Sequence, residues 1–397
     1  MIKTARERYN AFFSEEKYNR FIESLDRHFN FPIKFRVAET PVFVDRVLKQ
    51  KLVQAAESIV DFIIRPDFKS LTERAIPENL RVPNEDSHTL FLALDFALVK
   101  DEDGQLQPRL IEMQGFPSLF LWQDFLSEQY RKHFPVPDNV QSHFRLSPEE
   151  YRSLLTSVLL NGHDPNEVIL LEIDPLQQNT AIDFVITKHV TGIEPVHIGD
   201  IKRTGSKLFY KKNDQEIQIK RIYNRVIFDE LIARKDLTLQ FNLTEEAEVE
   251  WAGHPNWFFR ISKFTMPFIK SEFIPECRFL NSYNTFPEDL ENYVLKPLFS
   301  FSGSGIIFHV TQADLEAIPE HDRHNYMLQR KVVYEPVIQA PDGLVKTEIR
   351  LLYIWEPGKP RPTPVTNLAR LSRGEMIGVK FNKNKTWVGG SVCFFEQ

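Results

Sequence analysis

Two neighbouring apolar segments, each with one acidic residue inside it, constrain the fold of this chain most strongly. The first segment, residues 89–99, contains Asp95, and the second, residues 109–113, contains Glu112. The polar stretch 100–104 lies between them and is typical of a hairpin turn. An unpaired carboxylate is costly to bury. The sequence therefore predicts a strand pair whose two acids meet a metal ion or a cationic group.

A third oxygen-bearing side chain belongs to the same pattern. Gln114 follows Glu112 by two positions, so both side chains project from one face of a strand, and Asp95 can oppose them from the neighbouring strand. Magnesium prefers such oxygen ligands. From the residues alone, a metal ion or a cationic group is the favoured partner of Asp95, Glu112 and Gln114. The alternative is a hairpin whose acids are simply solvated.

A second feature is a strand that leads into a small-residue loop. Lys296 lies near the end of the apolar run 292–298. The loop that follows contains Ser302, Gly303, Ser304 and Gly305. Without bulky side chains its backbone N–H groups can approach phosphate oxygens, and a nearby lysine adds positive charge. The chain has neither the Walker motif nor the dinucleotide-binding glycine pattern. Alone, this loop is also compatible with a tight turn beside a surface lysine.

The order of predicted elements divides the 397 residues into three units and indicates an α+β fold with an α/β subdomain. We expect N-terminal helices and the two acidic strands in residues 1–146, and a small α/β domain with a parallel sheet in 147–245. Residues 246–397 are expected to form a mostly antiparallel unit. The predicted helices are 1–30, a segment after Pro41, 120–134, 148–160 and 180–190. The predicted C-terminal strands are 292–298, 305–310, 326–334, 347–355, 365–371 and 387–395.

Charge and hydropathy exclude several classes of partner. The net charge is −6, and no basic cluster suits nucleic acid. No uncharged apolar run approaches the roughly 18 residues expected of a membrane span, and the charged N-terminal region does not resemble a signal peptide. We therefore expect a cytoplasmic protein; the sequence leaves its oligomeric state open. The 33 phenylalanines indicate aromatic cores or an apolar substrate or partner surface.

The strand, lysine and loop resemble the ATP-grasp superfamily of ATP-dependent carboxylate–amine ligases. The resemblance implies that Lys263 and Lys296 contact the phosphates, although Lys263 alone would be interpreted as a surface lysine. It implies that the strand with Gln329 lies over the adenine. It also implies that Glu348 meets the ribose, that Arg350 meets a phosphate or the bound acid, and that Arg370 faces an acyl phosphate.

The resemblance implies that Asp95, Glu112 and Gln114 are the magnesium ligands, and all three precede both lysines in the chain. This order is that of the circularly permuted ATP-grasp ligases, and the chain most resembles the synthetase part of glutathionylspermidine synthase, with a glutathione synthetase-like fold. Residues 254–263 also resemble that family. Gln114 replaces the family's asparagine, and the loop after Lys296 lacks the family's charged residues. No amidase domain precedes the synthetase-like part.

The resemblance implies an ATP-dependent ligase that uses ATP and Mg²⁺. It would join a small-molecule carboxylic acid to an amine through an acyl-phosphate intermediate. The alternative is a non-catalytic nucleotide-binding or interaction protein that retains the ATP-grasp fold.

Overall fold

The computed structural model describes residues 1–299, 305–374, 377–378 and 381–397. Its helices are α1 Lys3–Phe12, α2 Glu15–His28, α3 Arg46–Ile63, α4 Phe68–Leu71, α5 Phe120–His133, α6 Pro148–Leu160, α7 Ala181–Thr191, α8 Phe228–Ala233, α9 Asn256–Arg260 and α10 Gln312–Glu316. The first half of the strands comprises β1 Val42–Val44, β2 Phe91–Lys100, β3 Leu106–Gln114, β4 Val140–Gln141, β5 Val168–Glu172, β6 Glu194–His197, β7 Lys202–Thr204, β8 Lys207–Lys212, β9 Gln215–Ile219 and β10 Arg221–Asn224. The remainder comprises β11 Glu250–Ala252, β12 Cys277–Phe279, β13 Tyr293–Pro297, β14 Tyr326–Arg330, β15 Pro336–Ala340, β16 Gly343–Ile354, β17 Thr363–Ser372, β18 Gly389–Ser391 and β19 Cys393–Glu396.

An antiparallel sheet in the order β18–β17–β16–β2–β3 joins distant parts of the chain, and β15 pairs with one end of β16. The hairpin of β2 and β3 confirms the strand pair predicted from the two acidic segments. β2 then pairs with β16, more than two hundred residues later. The first eight residues of β2 are buried, as its continuous apolar run requires. This sheet therefore places strands from both ends of the sequence side by side.

A second sheet, in the order β11–β10–β5–β6, is entirely parallel. Helices α6 and α7 alternate with its strands, as predicted for the α/β subdomain. Helix α6 begins at Ser147 with a capping box, in which Ser147 and Glu150 satisfy each other's backbone N–H groups. Strand β11 lies beyond residue 245, so this sheet continues past the predicted boundary; the division into units stays a prediction.

A third, small sheet in the order β12–β14–β13 has its own apolar core. That core, separate from the main one, is built from Leu280, Leu290, Tyr293, Leu295, Val310, Leu315 and Leu328. The antiparallel register places Lys296 opposite Met327 and Val294 opposite Gln329. The small sheet thus forms a lobe that carries two of the predicted nucleotide-contacting residues.

Several predicted elements differ from the structure. Residues 1–30 form two helices, because Ser14 caps a new helix by accepting from the Lys17 N–H. Residues 305–310 were predicted as a strand, but Ile307 makes only an isolated bridge to Leu295. Gly305 at φ +71° and the helix capped by Thr311 leave too few extended residues between them.

The predicted C-terminal strand 387–395 is divided because the chain changes sheets there. β18 pairs with β17, whereas β19 pairs with β1 and β4. In the described parts of the chain, no helix has the length and apolar character needed to cross a bilayer.

Candidate functional site

One face of the central sheet collects the charged residues predicted for the site. Arg350 on β16 lies opposite Asp95 on β2, and Asp95 lies opposite Glu112 on β3. Glu348 lies opposite Arg370 on β17. Directly opposed residues share a face, as do residues two apart, so these five side chains project to the same side.

Asp95 is fully buried between two guanidinium groups. Arg350 donates from Nε and Nη2 to its two oxygens at 2.5 and 2.7 Å, and Arg370 donates from Nη2 at 2.8 Å. Arg370 also donates to Glu348, and the Tyr334 hydroxyl donates to the other Glu348 oxygen at 2.5 Å. Such charge-assisted, bidentate bonds hold both arginines in fixed orientations.

The carboxylates also control the charge of Arg370. Burial alone would lower its pKa, but the charges of Glu348, Asp95 and Glu112 outweigh burial and raise the pKa above the ordinary value. Arg370 therefore stays protonated throughout the accessible pH range. Its side chain is 39% exposed and borders the cavity described below, so it offers positive charge to a ligand.

This arrangement changes the interpretation of the predicted metal ligands. Both oxygens of Asp95 accept hydrogen bonds from arginines. Its carboxylate therefore has the cationic partner that was predicted for an acidic residue within an apolar strand. Glu112 and Gln114 remain open to the cavity. Among the described residues, no group of three histidines, cysteines or acids is close enough to hold a metal ion. A ligand role for Asp95 stays a prediction, and this geometry favours a positioning role instead.

The end of β3 is held tightly against the segment that carries Lys263. The Gly115 N–H donates to the Ile261 carbonyl at 3.0 Å. A Cβ at Gly115 would lie 2.4 Å from the carbonyl oxygen of Trp257, so only glycine allows this approach. The β2–β3 register also shifts just after Asp95, at a bulge beside Glu112. These features fix where Glu112 and Gln114 project.

Lys296 lies in β13 and is buried, with its Nζ 3.5 Å from the Ile111 carbonyl oxygen. Burial lowers its pKa to about 8, although the charge of Glu112 acts in the opposite direction. A lysine in this setting gains from an added negative charge, because an anion restores the solvation that burial removed.

Lys263 is buried rather than a surface lysine, and it begins a short 3₁₀ helix, Lys263–Phe268. Burial lowers its pKa, and the charges of Glu112 and Asp229 partly oppose that effect. Because Glu112 acts on both lysines, the structure brings Lys263 and Lys296 to one carboxylate from two separate elements.

A buried ion-pair network anchors the segment before Lys263. Arg260 is 2% exposed and donates to Glu85 and Glu73 at 2.7 Å, and to the Lys69 carbonyl at 2.6 Å. Asn256 bonds both backbone groups of Val82. Breaking a buried network of this kind is strongly unfavourable. The network therefore holds this segment in place, and with it the backbone of Lys263.

These elements enclose a cavity of about 580 Å³, a size typical of small-ligand sites. Eight of the predicted site residues line it, namely Glu112, Gln114, Lys263, Lys296, Gln329, Glu348, Arg350 and Arg370. Much of the remaining wall is aromatic or aliphatic. Of the predicted site residues, four cations line the cavity or its floor with three carboxylates: Lys263, Lys296, Arg350 and Arg370 with Glu112, Glu348 and the Asp95 beneath them. Among these seven residues the excess is one positive charge. Arg330 and Lys331 also line the cavity.

The predicted phosphate loop is described only at its end. Ser302, Gly303 and Ser304 lie outside the described residues. Gly305 is in the left-handed region at φ +71°, and an added Cβ would lie 3.0 Å from the Pro297 ring. Gly305 therefore lies close to the strand that carries Lys296.

Sequence reasoning missed three residues of the site. Tyr334 was assigned to a strand that in fact ends at Arg330, so its bond to Glu348 was not foreseen. Phe116 lines the cavity and was given no role, although it lies within the stretch 110–118 that resembles the family. Arg225 packs against the Phe116 ring and lies in a loop without a recognisable motif. A polar residue directly after a buried parallel strand, as Arg225 is, was the available signal for that position.

Comparison with solved structures supports the fold. The chain resembles a glutathione synthetase-like effector (GSS30) from Globodera pallida, solved in its apo form, with a TM-score of 0.59 and 12% sequence identity. The match covers 97% of each chain. No family model and no curated protein matches the sequence. The chain therefore has a mixed α/β, glutathione synthetase-like fold; at this identity the similarity concerns the fold alone.

The charges on the cavity wall fit a magnesium-bound nucleoside triphosphate. Two buried lysines and two arginines suit an oligophosphate. Glu112 and Gln114 provide the carboxylate and carbonyl oxygens that Mg²⁺ accepts, and magnesium commonly keeps waters and phosphate oxygens as its other ligands. The donor set thus fits the metal without a dedicated protein cage.

Proposed function

We propose that the chain is a circularly permuted ATP-grasp protein that binds Mg-ATP and acts as a carboxylate–amine ligase. The observation that carries this proposal is the pair of buried lysines, Lys263 and Lys296, facing one cavity beside Arg350 and Arg370. Glutathione synthetase-like architecture over the whole chain supports it.

Each of these residues has its own proposed role in phosphoryl transfer. Lys263 and Lys296 neutralise the phosphates, while Arg350 and Arg370 hold the acid and then the acyl phosphate. Gln329, on β14 of the small lobe, would lie over the adenine, and Glu348 would meet the ribose. Glu112 and Gln114 would hold Mg²⁺, which would supply further charge neutralisation at the phosphates. Asp95 keeps the two arginines in place.

In this reaction a carboxylate oxygen of the substrate attacks the γ-phosphorus, and the bond from that phosphorus to the β,γ-bridging oxygen breaks. ADP leaves with the electron pair. The amine nitrogen then attacks the acyl carbon, phosphate leaves with the carbon–oxygen bond electrons, and the nitrogen loses a proton. The protein's contribution is positioning, charge stabilisation and exclusion of water.

A second candidate is a nucleotide-binding protein without ligase activity. Two observations favour it. Asp95, a predicted metal ligand, already accepts hydrogen bonds from two arginines. In addition, Gln114 replaces the family's asparagine. The two candidates share the nucleotide site and differ in whether acid and amine are joined.

Turnover tests the ligase proposal. ADP and phosphate release is measured with Mg-ATP and pooled carboxylic acids and amines, for the wild type, Lys296→Met and Lys270→Met. We expect release that depends on both substrates and falls by about 100-fold in Lys296→Met, because a charge at the phosphates is lost. The exposed Lys270 lies outside the cavity, so its variant should match the wild type. Release that persists unchanged in Lys296→Met would remove this site assignment.

A further inference from the structure

The apolar wall of the cavity has two parts with different origins. One part, the nucleotide section, comes from the small lobe and the chain beside it; it contains Val294, which lies opposite Gln329, together with Leu298 and Phe308. The other part, here called the substrate section, consists of Phe116, Ile227 and Phe258. Phe116 follows β3 of the central sheet, whereas Ile227 follows β10 and Phe258 lies in α9, both of which adjoin strands of the parallel sheet.

The substrate section is a coherent aromatic surface. The rings of Phe116 and Phe258 meet edge to face with centroids 4.9 Å apart. Phe116 directly follows Gly115, and Phe258 directly follows Trp257. The close approach of Gly115 to Trp257 therefore holds the segments of the two rings together. This geometry is therefore set by backbone packing rather than by adaptable side chains.

A buried cation lies behind the ring of Phe116. Arg225 is buried, and its guanidinium carbon lies 4.2 Å from the centroid of the Phe116 ring. Its Nε and Nη1 have no hydrogen-bond partner among the described residues. Phe116 lines the cavity and Arg225 does not, so the ring stands between the cation and the ligand space. Ser118 supplies a polar group nearby.

We propose that the acid joined by this protein has an apolar body. This inference rests on the proposed function, which places ATP in the nucleotide section and leaves the substrate section to the acid. Arg350 and Arg370 would hold the reacting carboxylate, and the remainder of the molecule would lie on Phe116, Ile227 and Phe258. A second charged group there would lose its hydration without gaining a partner.

Binding of two matched acids tests the inference independently of catalysis. Hexanoate and adipate have six-carbon chains, and adipate carries a second carboxylate in place of the terminal methyl group. Each is titrated calorimetrically into the wild type in the presence of Mg²⁺ and a non-hydrolysable ATP analogue. We expect a Kd for hexanoate at least tenfold below that for adipate. Equal affinities, tighter adipate binding or no binding of either acid would overturn the inference.

Two variants test which residues cause the preference for hexanoate. Phe258→Ala should weaken hexanoate binding at least fivefold and should not tighten adipate binding. Phe116→Ala should weaken hexanoate binding and also tighten adipate binding, because it uncovers Arg225. The gain in adipate affinity should disappear in the Phe116→Ala/Arg225→Met double variant. Adipate binding unaltered in Phe116→Ala would contradict the shielding role of the ring.

A separate readout identifies failure of the ligase proposal. With ATP, hexanoate and hydroxylamine, an acyl phosphate is trapped as its hydroxamate. Preferential hexanoate binding without hydroxamate would support the apolar-acid site and contradict ligase chemistry. Hydroxamate formation that favours adipate over hexanoate would support the ligase and overturn the apolar-acid inference.

Discussion

At the residue scale, Asp95 holds two guanidinium groups together inside the sheet. Removing its charge by Asp95→Asn would leave Arg350 buried without its partner, which typically costs about 3–5 kcal/mol. We expect that loss in the free energy of unfolding, measured by urea denaturation in the absence of Mg²⁺ and nucleotide.

The surface pair of Arg65 and Asp67 supplies the matched control. It has a similar bidentate geometry but is exposed, so Asp67→Asn should leave the unfolding free energy unchanged within error. If Asp95→Asn also leaves the free energy of unfolding unchanged in the absence of metal, Asp95 is not a structural partner of the arginines. That result would favour the predicted metal-ligand role of Asp95 again.

Also at the residue scale, the lowered pKa of Lys296 predicts a pH dependence. In the free protein Lys296 loses its proton as pH rises through about 8, whereas bound phosphates hold that proton. The affinity for Mg-ATP should therefore fall above about pH 8, by up to tenfold per pH unit for a single proton. Stability of the free protein should change in the opposite direction, since an unfolded lysine with its ordinary pKa of 10.5 still binds the proton there.

Calorimetric titrations between pH 7 and 9.5 measure this effect. Lys296→Met, which has no proton to lose, should lack the decline even though its affinity is lower throughout. An equally steep decline in Lys296→Met would assign the pH dependence to another group.

At the element scale, Gly115 sets the distance between β3 and the segment that carries Lys263. Gly115→Ala would force the strand away from the Trp257 carbonyl and displace Glu112 and Gln114 from Lys263. We expect a lower Tm and at least tenfold weaker Mg-ATP binding. Gly104→Asn is the control, because a Cβ at this turn meets nothing within 4 Å and asparagine tolerates its positive φ. Wild-type nucleotide affinity in Gly115→Ala would show that this approach does not position the site.

Local sequence predicted those elements whose signals are local. The hairpin of β2 and β3, the capped helix α6 and the strand of Lys296 each have apolar periodicity, a cap or a turn that marks them. The strand predicted at 305–310 failed because Gly305 and the cap at Thr311 shortened it. The pairing of Asp95 with Arg350 joins residues 255 positions apart, and no local pattern specifies such a contact.

At the scale of the whole molecule, two separate sheets join distant parts of the chain: β2 pairs with β16 in the central sheet, and β1 pairs with β19 in a sheet that also contains β4. Family resemblance, rather than composition, pointed to the two lysines and two arginines that now line one cavity. It could not specify the aromatic substrate section, which depends on how three separate segments pack together.

Binding of Mg-ATP to the native protein tests the central claim most directly. A ligand that binds only the folded state stabilises it by about 2.7 kcal/mol at a hundredfold excess over its Kd. Thermal unfolding is therefore followed with Mg-ATP from micromolar to millimolar concentrations, for the wild type, Lys296→Met and Lys270→Met. The proposal predicts a saturable rise in Tm for the wild type and Lys270→Met that is lost in Lys296→Met. No rise in the wild type at millimolar Mg-ATP would contradict both the ligase and the nucleotide-binding alternative.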